Sequence, residues 1–179
     1  MSYHSIIAPL PDEYAPYYQP YLDQVKEGTL MPMLEEQMHI VLDLLISMTD
    51  EQADFRYAEG KWSVREVIGH MIDTERIFAT RALCFARGET TALPGYDQDT
   101  YIANADFAGR SRGSLSAEDG QLRKSHLFLF PSWSEDVQQR RGTADGNVMS
   151  VRAVPWIIAG HERHHLGVLQ ERYLPHLNG

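Results

Sequence analysis

Apolar residues recur at three- and four-residue intervals in four stretches of this chain. Over 29–48, TLMPMLEEQMHIVLDLLISM sets Leu30, Leu34, Met38, Val41, Leu42 and Leu45 on one stripe, the period of an amphipathic helix. Thr29 can cap it, and Pro32 falls in the first turn, where a missing N–H is tolerated. A second helix is predicted over 63–87. It opens with Ser63-x-x-Glu66, a capping box whose two side chains satisfy otherwise orphaned amides. Val67, His70, Met71, Thr74, Ile77, Phe78 and Leu83 follow at helical spacing, and Gly88 suits the end. A third, 114–130, rests on Leu115, Leu122, Leu129 and Phe130, and Gly120 weakens it by about 1 kcal/mol relative to alanine. The fourth, 150–173, carries Pro155 near its start, so either Ser150 caps it or it begins near Val154; Pro175 closes it. Strand signals are few. The pattern predicts an all-α, four-helix bundle forming one domain over residues 1–179.

The connection between the second and third helices, 88–113, far exceeds the usual two to about eight residues of a bundle loop. A segment of that length can return the chain along the bundle and make those two helices parallel. It includes LPGYDQDTY, whose Tyr96, Asp97 and Tyr101 could line a pocket if the loop folds back over the bundle, packing being the plainer role.

Composition narrows the function classes. With 179 residues, 43% of them apolar, the chain can bury a substantial core. The net charge of −9, from scattered acidic residues, disfavours a nucleic-acid partner, which needs a clustered basic surface. No apolar run reaches membrane-spanning length. The opening MSYHSIIAPLPDEYAPYYQPY lacks the basic-then-apolar pattern of a secretory leader, and the single cysteine, Cys84, fits a reducing compartment. A cytoplasmic location is expected.

The candidate chemistry lies in histidines. His161-Glu162-Arg163-His164-His165 spells H-E-x-x-H, the zinc-protease signature. The longer form of that motif fails, because Val168 stands where it needs glycine and Gly167 is out of register. His176, beyond Pro175, is a poor third ligand. His70 is a better one. With the second and fourth helices antiparallel and their ends flush, His70 lies about 10 Å from one end, and His165 and His161 lie about 12 and 18 Å from the same end. Three imidazoles at one site, His70, His161 and His165, would leave a coordination position open, as at catalytic sites. His164 is an alternative ligand or a neighbour of one. Glu162 and Asp73 are the candidate bases; Glu162 lies about 100° around the helix from His161, so a solvated surface role is open to it, and Asp73 can instead orient a ligand or pair with Arg76 or Arg81. His4, His39, His126 and His176 have no partner at useful spacing and read as surface or packing residues. Cys84 lies about 21 Å along the helix from His70, too far to be a ligand, and reads as a buried small residue. Trp62 and Trp156 are expected to pack at helix starts.

The segments KWSVREVIGHMIDTERIFATRAL, LPGYDQDTY and AGHERHHLGVLQERYL resemble the DinB/YfiT-like superfamily of metalloenzymes, over about residues 14–174. The resemblance implies an up-down-down-up bundle, frequent homodimers, and a metal, zinc or nickel, on one histidine of the second helix and two of the fourth. In this sequence those fall on His70, His161 and His165. Relatives include bacillithiol transferases, mycothiol-dependent maleylpyruvate isomerase and proteins called metal-dependent hydrolases. The leading expectation is therefore transfer of a low-molecular-weight thiol to a small-molecule electrophile, with the metal lowering the thiol pKa. Hydrolysis by a metal-activated water and a non-catalytic, metal-stabilised binding module stand as alternatives.

Overall fold

Four long helices make the body of the computed structural model, which describes residues 4–25 and 27–177. They are α1 (Leu30–Ser47), α2 (Val64–Ala86), α3 (Arg112–Leu129) and α4 (Ala153–Val168). Residues 1–3, the start of the stretch read above for a leader, lie outside the described residues.

Side-chain ties fix the helix directions. Arg65 donates to the Arg110 carbonyl just before α3, Arg76 pairs with Glu118, and Glu75 pairs with Arg123, so α2 and α3 run parallel. Arg112 reaches the carbonyls of Leu45 and Met48, whereas Arg123 reaches that of Leu34, so α1 and α3 are antiparallel. Tyr173, beyond α4, donates to the Trp62 carbonyl before α2, which makes α2 and α4 antiparallel. Gln37 bonds the Ala159 carbonyl and Gln52 that of Leu177, so α1 and α4 are parallel. The topology is up-down-down-up, as the long connection and the resemblance imply.

The core is divided. One apolar cluster joins Leu30 and Leu34 with Phe78, Phe85, Phe130, Trp156 and Ile157. The other joins Val41 and Leu45 with Val67, Ile68, Leu115, Leu169 and Tyr173. On every helix, buried polar residues gather about the level where the two clusters meet: Gln37 on α1, His70, Thr74 and Glu75 on α2, Asp119 and Arg123 on α3, His161 and Glu162 on α4. A polar belt therefore crosses the bundle at mid-height. Buried polar groups need partners, so the belt is where specific chemistry is concentrated.

The helix boundaries follow local physics. Ser63 and Glu66 form the expected capping box at the start of α2. Gly88, at φ 86°, takes the left-handed turn that lets the Glu89 amide reach back to Cys84. Thr29 borders α1, but its side chain makes no capping hydrogen bond. α3 runs unbroken through Gly120, and its cap is Ser111, three residues earlier than the pattern predicts.

The start of the fourth helix differs from expectation. Residues 141–150 form a hairpin, β1 (Arg141–Ala144) with β2 (Asn147–Ser150), turned by Asp145 at φ 52° and Gly146 at φ 72°. Asp-Gly supplies the two positive φ values that a tight hairpin turn requires. Ser150 thus ends a strand, although its hydroxyl does accept the Ala153 amide as α4 begins. Pro155 sits in the first turn, where no N–H is needed. At the other end, a π-helical turn, Leu169–Tyr173, lets helix continue over Leu174–Leu177, so Pro175 does not close it.

The crossover after α2 contains a short helix, Gln98–Asn104, and Leu93 in it bonds to Thr143 and Asp145 of the hairpin. Among the described residues no helix is long and apolar enough to cross a membrane.

Candidate metal centre

α2 and α4 bring three imidazoles together in the polar belt. His70 Nε2 lies 3.0 Å from His161 Nε2, across 91 residues of sequence, and His165 Nε2 lies 3.1 Å from the same atom. One ring nitrogen from each of the three lies within 4.8 Å of the others. His70 and His161 are buried and His165 is partly so. Burial holds His70 down at about 4 and His165 at about 3, and it holds His161 well below the ordinary imidazole range, with the neighbouring imidazoles adding to the last two effects. All three are neutral at pH 7, so each can offer a lone pair.

The donor set suits a divalent cation. Without one, His161 Nε2 faces two ring nitrogens and carries either one proton or one lone pair, which cannot serve both neighbours well. Nitrogens bound about 2.0–2.1 Å from one tetrahedral ion stand about 3.3–3.4 Å apart, close to the 3.0 and 3.1 Å separations of His70 and His165 from His161 Nε2. Imidazole favours zinc, nickel, copper or iron over magnesium or calcium.

The walls are aromatic. The Trp62 ring lies 4.9 Å from His70, so this residue does more than pack at a helix start. Tyr21 meets both His161 and His164 edge-on at 5.5 Å. Gly160 permits that approach, since a Cβ there would stand 2.2 Å from the Tyr21 carbonyl oxygen. The helix Gln19–Leu22 that carries Tyr21 gave no sequence signal for the site. Thr74, one turn after His70, places its hydroxyl 3.4 Å from His70 Nδ1 and 2.7 Å from the Tyr96 hydroxyl. Its i+4 spacing from His70 was the available clue.

The two candidate bases are engaged elsewhere. Glu162 is buried, not solvated: its Oε2 accepts from Arg123, which also holds Glu75 in a bidentate pair. Glu162 Oε1 is buried with no protein partner among the described residues. Burial and the nearby Glu75 raise its pKa against the pull of Arg123. Burial also acts to raise Glu75, but Arg123 and His126 prevail and hold it at about 2. Asp73 lies 3.6 Å from Arg76 and lines a small cleft of about 360 Å³ with Thr100, Tyr101 and Asn104; burial raises its pKa. Neither carboxylate belongs to the three-nitrogen group. His164 also lies outside that group, beside His165 and Tyr21.

His126 is a buried packing residue, stacked on Phe130, and it also has a partner that its spacing did not reveal, bonding Glu75 at 2.8 Å. Cys84 is half-buried and outside the cluster. Trp156 packs in the core and donates to the Ile6 carbonyl. Asp97 caps the crossover helix, and Tyr101 lies edge-on against Tyr96.

Comparison with known proteins gives one consistent picture. The sequence profile of the DinB superfamily matches residues 33–169. A protein of Oceanobacillus iheyensis, provisionally named a metal-dependent hydrolase, is 23% identical over 120 residues, covering 67% of this chain and 69% of its own. One of Halalkalibacterium halodurans with the same provisional name is 22% identical over 147 residues, covering 82% of each. The solved structure of YfiT from Bacillus subtilis, described provisionally as a metal-dependent hydrolase with an unusual four-helix bundle topology, matches at a TM-score of 0.76 with 20% identity over 94% of both chains.

Proposed function

The chain belongs to the DinB superfamily, and from that premise we propose that it is a metal-dependent hydrolase whose divalent cation, zinc or nickel, is held by His70, His161 and His165. The observation that carries this reading is the convergence of three neutral Nε2 atoms at 3.0 and 3.1 Å on the line between α2 and α4. The provisional hydrolase names of the relatives from O. iheyensis and H. halodurans support it. A divalent cation in such a site acts as a Lewis acid and lowers the proton affinity of an oxygen or sulfur ligand. The protein's own part is to present three fixed lone pairs, to wall the site with Trp62 and Tyr21, and to keep the imidazoles neutral by burial.

Thiol transfer is a second reading, favoured by one observation. Glu162 and Asp73 are both engaged by arginines, and a thiolate attacking an electrophile needs no carboxylate base at the reacting atom. The thiol S–H proton would leave to solvent, and the S–C bond would form as the bond from the electrophilic carbon to its leaving group breaks, the leaving group departing with that electron pair and taking up a proton from solvent.

One set of measurements separates them. Protein loaded with zinc or nickel is assayed on ester and amide substrates beside a His70→Ala variant. Turnover that a chelator and the variant both abolish supports hydrolysis. Cobalt-loaded protein is then titrated with bacillithiol, glutathione and coenzyme A; a shifted visible spectrum with one of them, without hydrolytic turnover, supports thiol transfer. Neither response would leave a non-catalytic metal-stabilised module.

A further inference from the structure

We propose that Thr74 and Tyr96 are positioning residues that fix the tautomer of His70, placing its proton on Nδ1 and its lone pair on Nε2. The inference rests on the metal reading above and concerns how that site is set. Three observations carry it. Thr74 Oγ1 is 3.4 Å from His70 Nδ1, Tyr96 Oη is 2.7 Å from Thr74 Oγ1, and His70 Nε2 points at His161. Thr74 is buried, so its hydroxyl has few other partners to choose from.

The proton count of the Thr74 hydroxyl separates the two tautomers. A threonine hydroxyl has one hydrogen and two lone pairs. If the hydrogen addressed His70 Nδ1, the ring would carry its proton on Nε2, in the middle of the three-nitrogen cluster, where it blocks a cation. With Tyr96 Oη accepting the Thr74 hydrogen, a Thr74 lone pair is left to accept from Nδ1–H. The opposite nitrogen is then free. An imidazole that ligates through one nitrogen is commonly oriented in this way by a partner on the other.

Tyr96 is itself held firmly. Arg81, buried on α2, donates to the Pro94 carbonyl at 2.9 Å and lies 5.9 Å from the centre of the Tyr96 ring, while Tyr101 packs edge-on at 5.2 Å. The crossover thus serves the site without supplying a ligand. It positions the hydroxyl that positions Thr74.

Two readouts test this, neither of them activity. Nitrogen-15 shifts of the His70 ring in metal-free protein report the tautomer directly. The expected result is Nδ1–H; a ring protonated on Nε2 overturns the proposal. Cobalt affinity and the visible spectrum of the cobalt form are then compared for wild type, Thr74→Val, Thr74→Ser and Tyr96→Phe. Thr74→Val should weaken binding by about 10- to 100-fold and alter the spectrum, Thr74→Ser should restore both, and Tyr96→Phe should fall between. Wild-type affinity in Thr74→Val overturns the tautomer proposal and leaves the metal reading standing. A wild-type protein that takes up no cobalt overturns both.

Discussion

Arg123 on α3 and Glu162 on α4 form a buried ion pair immediately beside His161, and the same guanidinium grips Glu75 on α2. One side chain therefore ties three helices together at the height of the candidate metal centre. Its additional bond to the Leu34 carbonyl brings in the fourth.

Breaking that tie on one side leaves two buried carboxylates without their cation. Arg123→Met is expected to lose about 3–5 kcal/mol, because an uncompensated buried charge costs more than the pair contributes. Replacing Glu75 and Glu162 by glutamine in the same chain should recover much of that loss. Urea unfolding of the single and triple variants checks it; a single variant within about 1 kcal/mol of wild type would contradict the assignment.

Asp119 supplies a pH signature. Burial first, and then the facing Glu162, raise its carboxyl to about 8 against the attraction of Arg123, with Glu75 and Glu118 adding to the rise. The folded state therefore keeps a proton that the unfolded chain, near its ordinary value of 3.8, has released. The folded form binds more protons between those two values, so this group's contribution to stability falls as pH rises towards 8. Asp119→Asn removes that fall. Its melting temperature should rise relative to wild type between pH 5.5 and 8.5, with the gap widening by about 5 °C or more. A gap that stays constant over the range would contradict the raised value.

Two glycines in helices should respond oppositely to alanine. Gly120 on α3 has open space where a Cβ would go, and Gly120→Ala should stabilise by about 0.5–1 kcal/mol through helix propensity alone. Gly160→Ala would push a methyl into the Tyr21 backbone, so it should destabilise by about 1–3 kcal/mol and move Tyr21 away from His161 and His164. Thermal melts of the two variants side by side decide this, and a neutral Gly160→Ala would mean that the Gln19–Leu22 segment does not press on α4.

The four long helices were legible because their signals are local. Apolar stripes and the Ser63–Glu66 box act within a few residues, and the long stretch after Gly88 already implied a parallel pair. The i, i+4 spacing of His161 and His165 is local in the same way, whereas His70 lies 91 residues from His161 and was joined to them by its matching height on an antiparallel helix and by the family resemblance. What escaped has two causes. The hairpin's Asp145-Gly146 turn was present in the sequence but sat within a stretch poor in alternating apolar residues, where a short two-stranded unit leaves little pattern. The fates of Glu162 and His126 were not local at all. Glu162 meets Arg123 across 39 residues, and His126 meets Glu75 across 51, so no spacing rule identifies either pair. Tyr21 reaches the site from a short helix with two prolines nearby, and only the packed structure reveals it.

Metal titration of the purified, chelator-stripped protein tests the central claim most directly. Zinc, nickel or cobalt uptake is measured for wild type and for alanine variants of His70, His161, His165 and His164. The account predicts about one tightly bound ion per chain, with affinity weakened by about 100-fold or more in each of the first three variants and by no more than about threefold in His164→Ala. A wild-type chain that retains no ion, or a His164→Ala variant as impaired as His161→Ala, would contradict it.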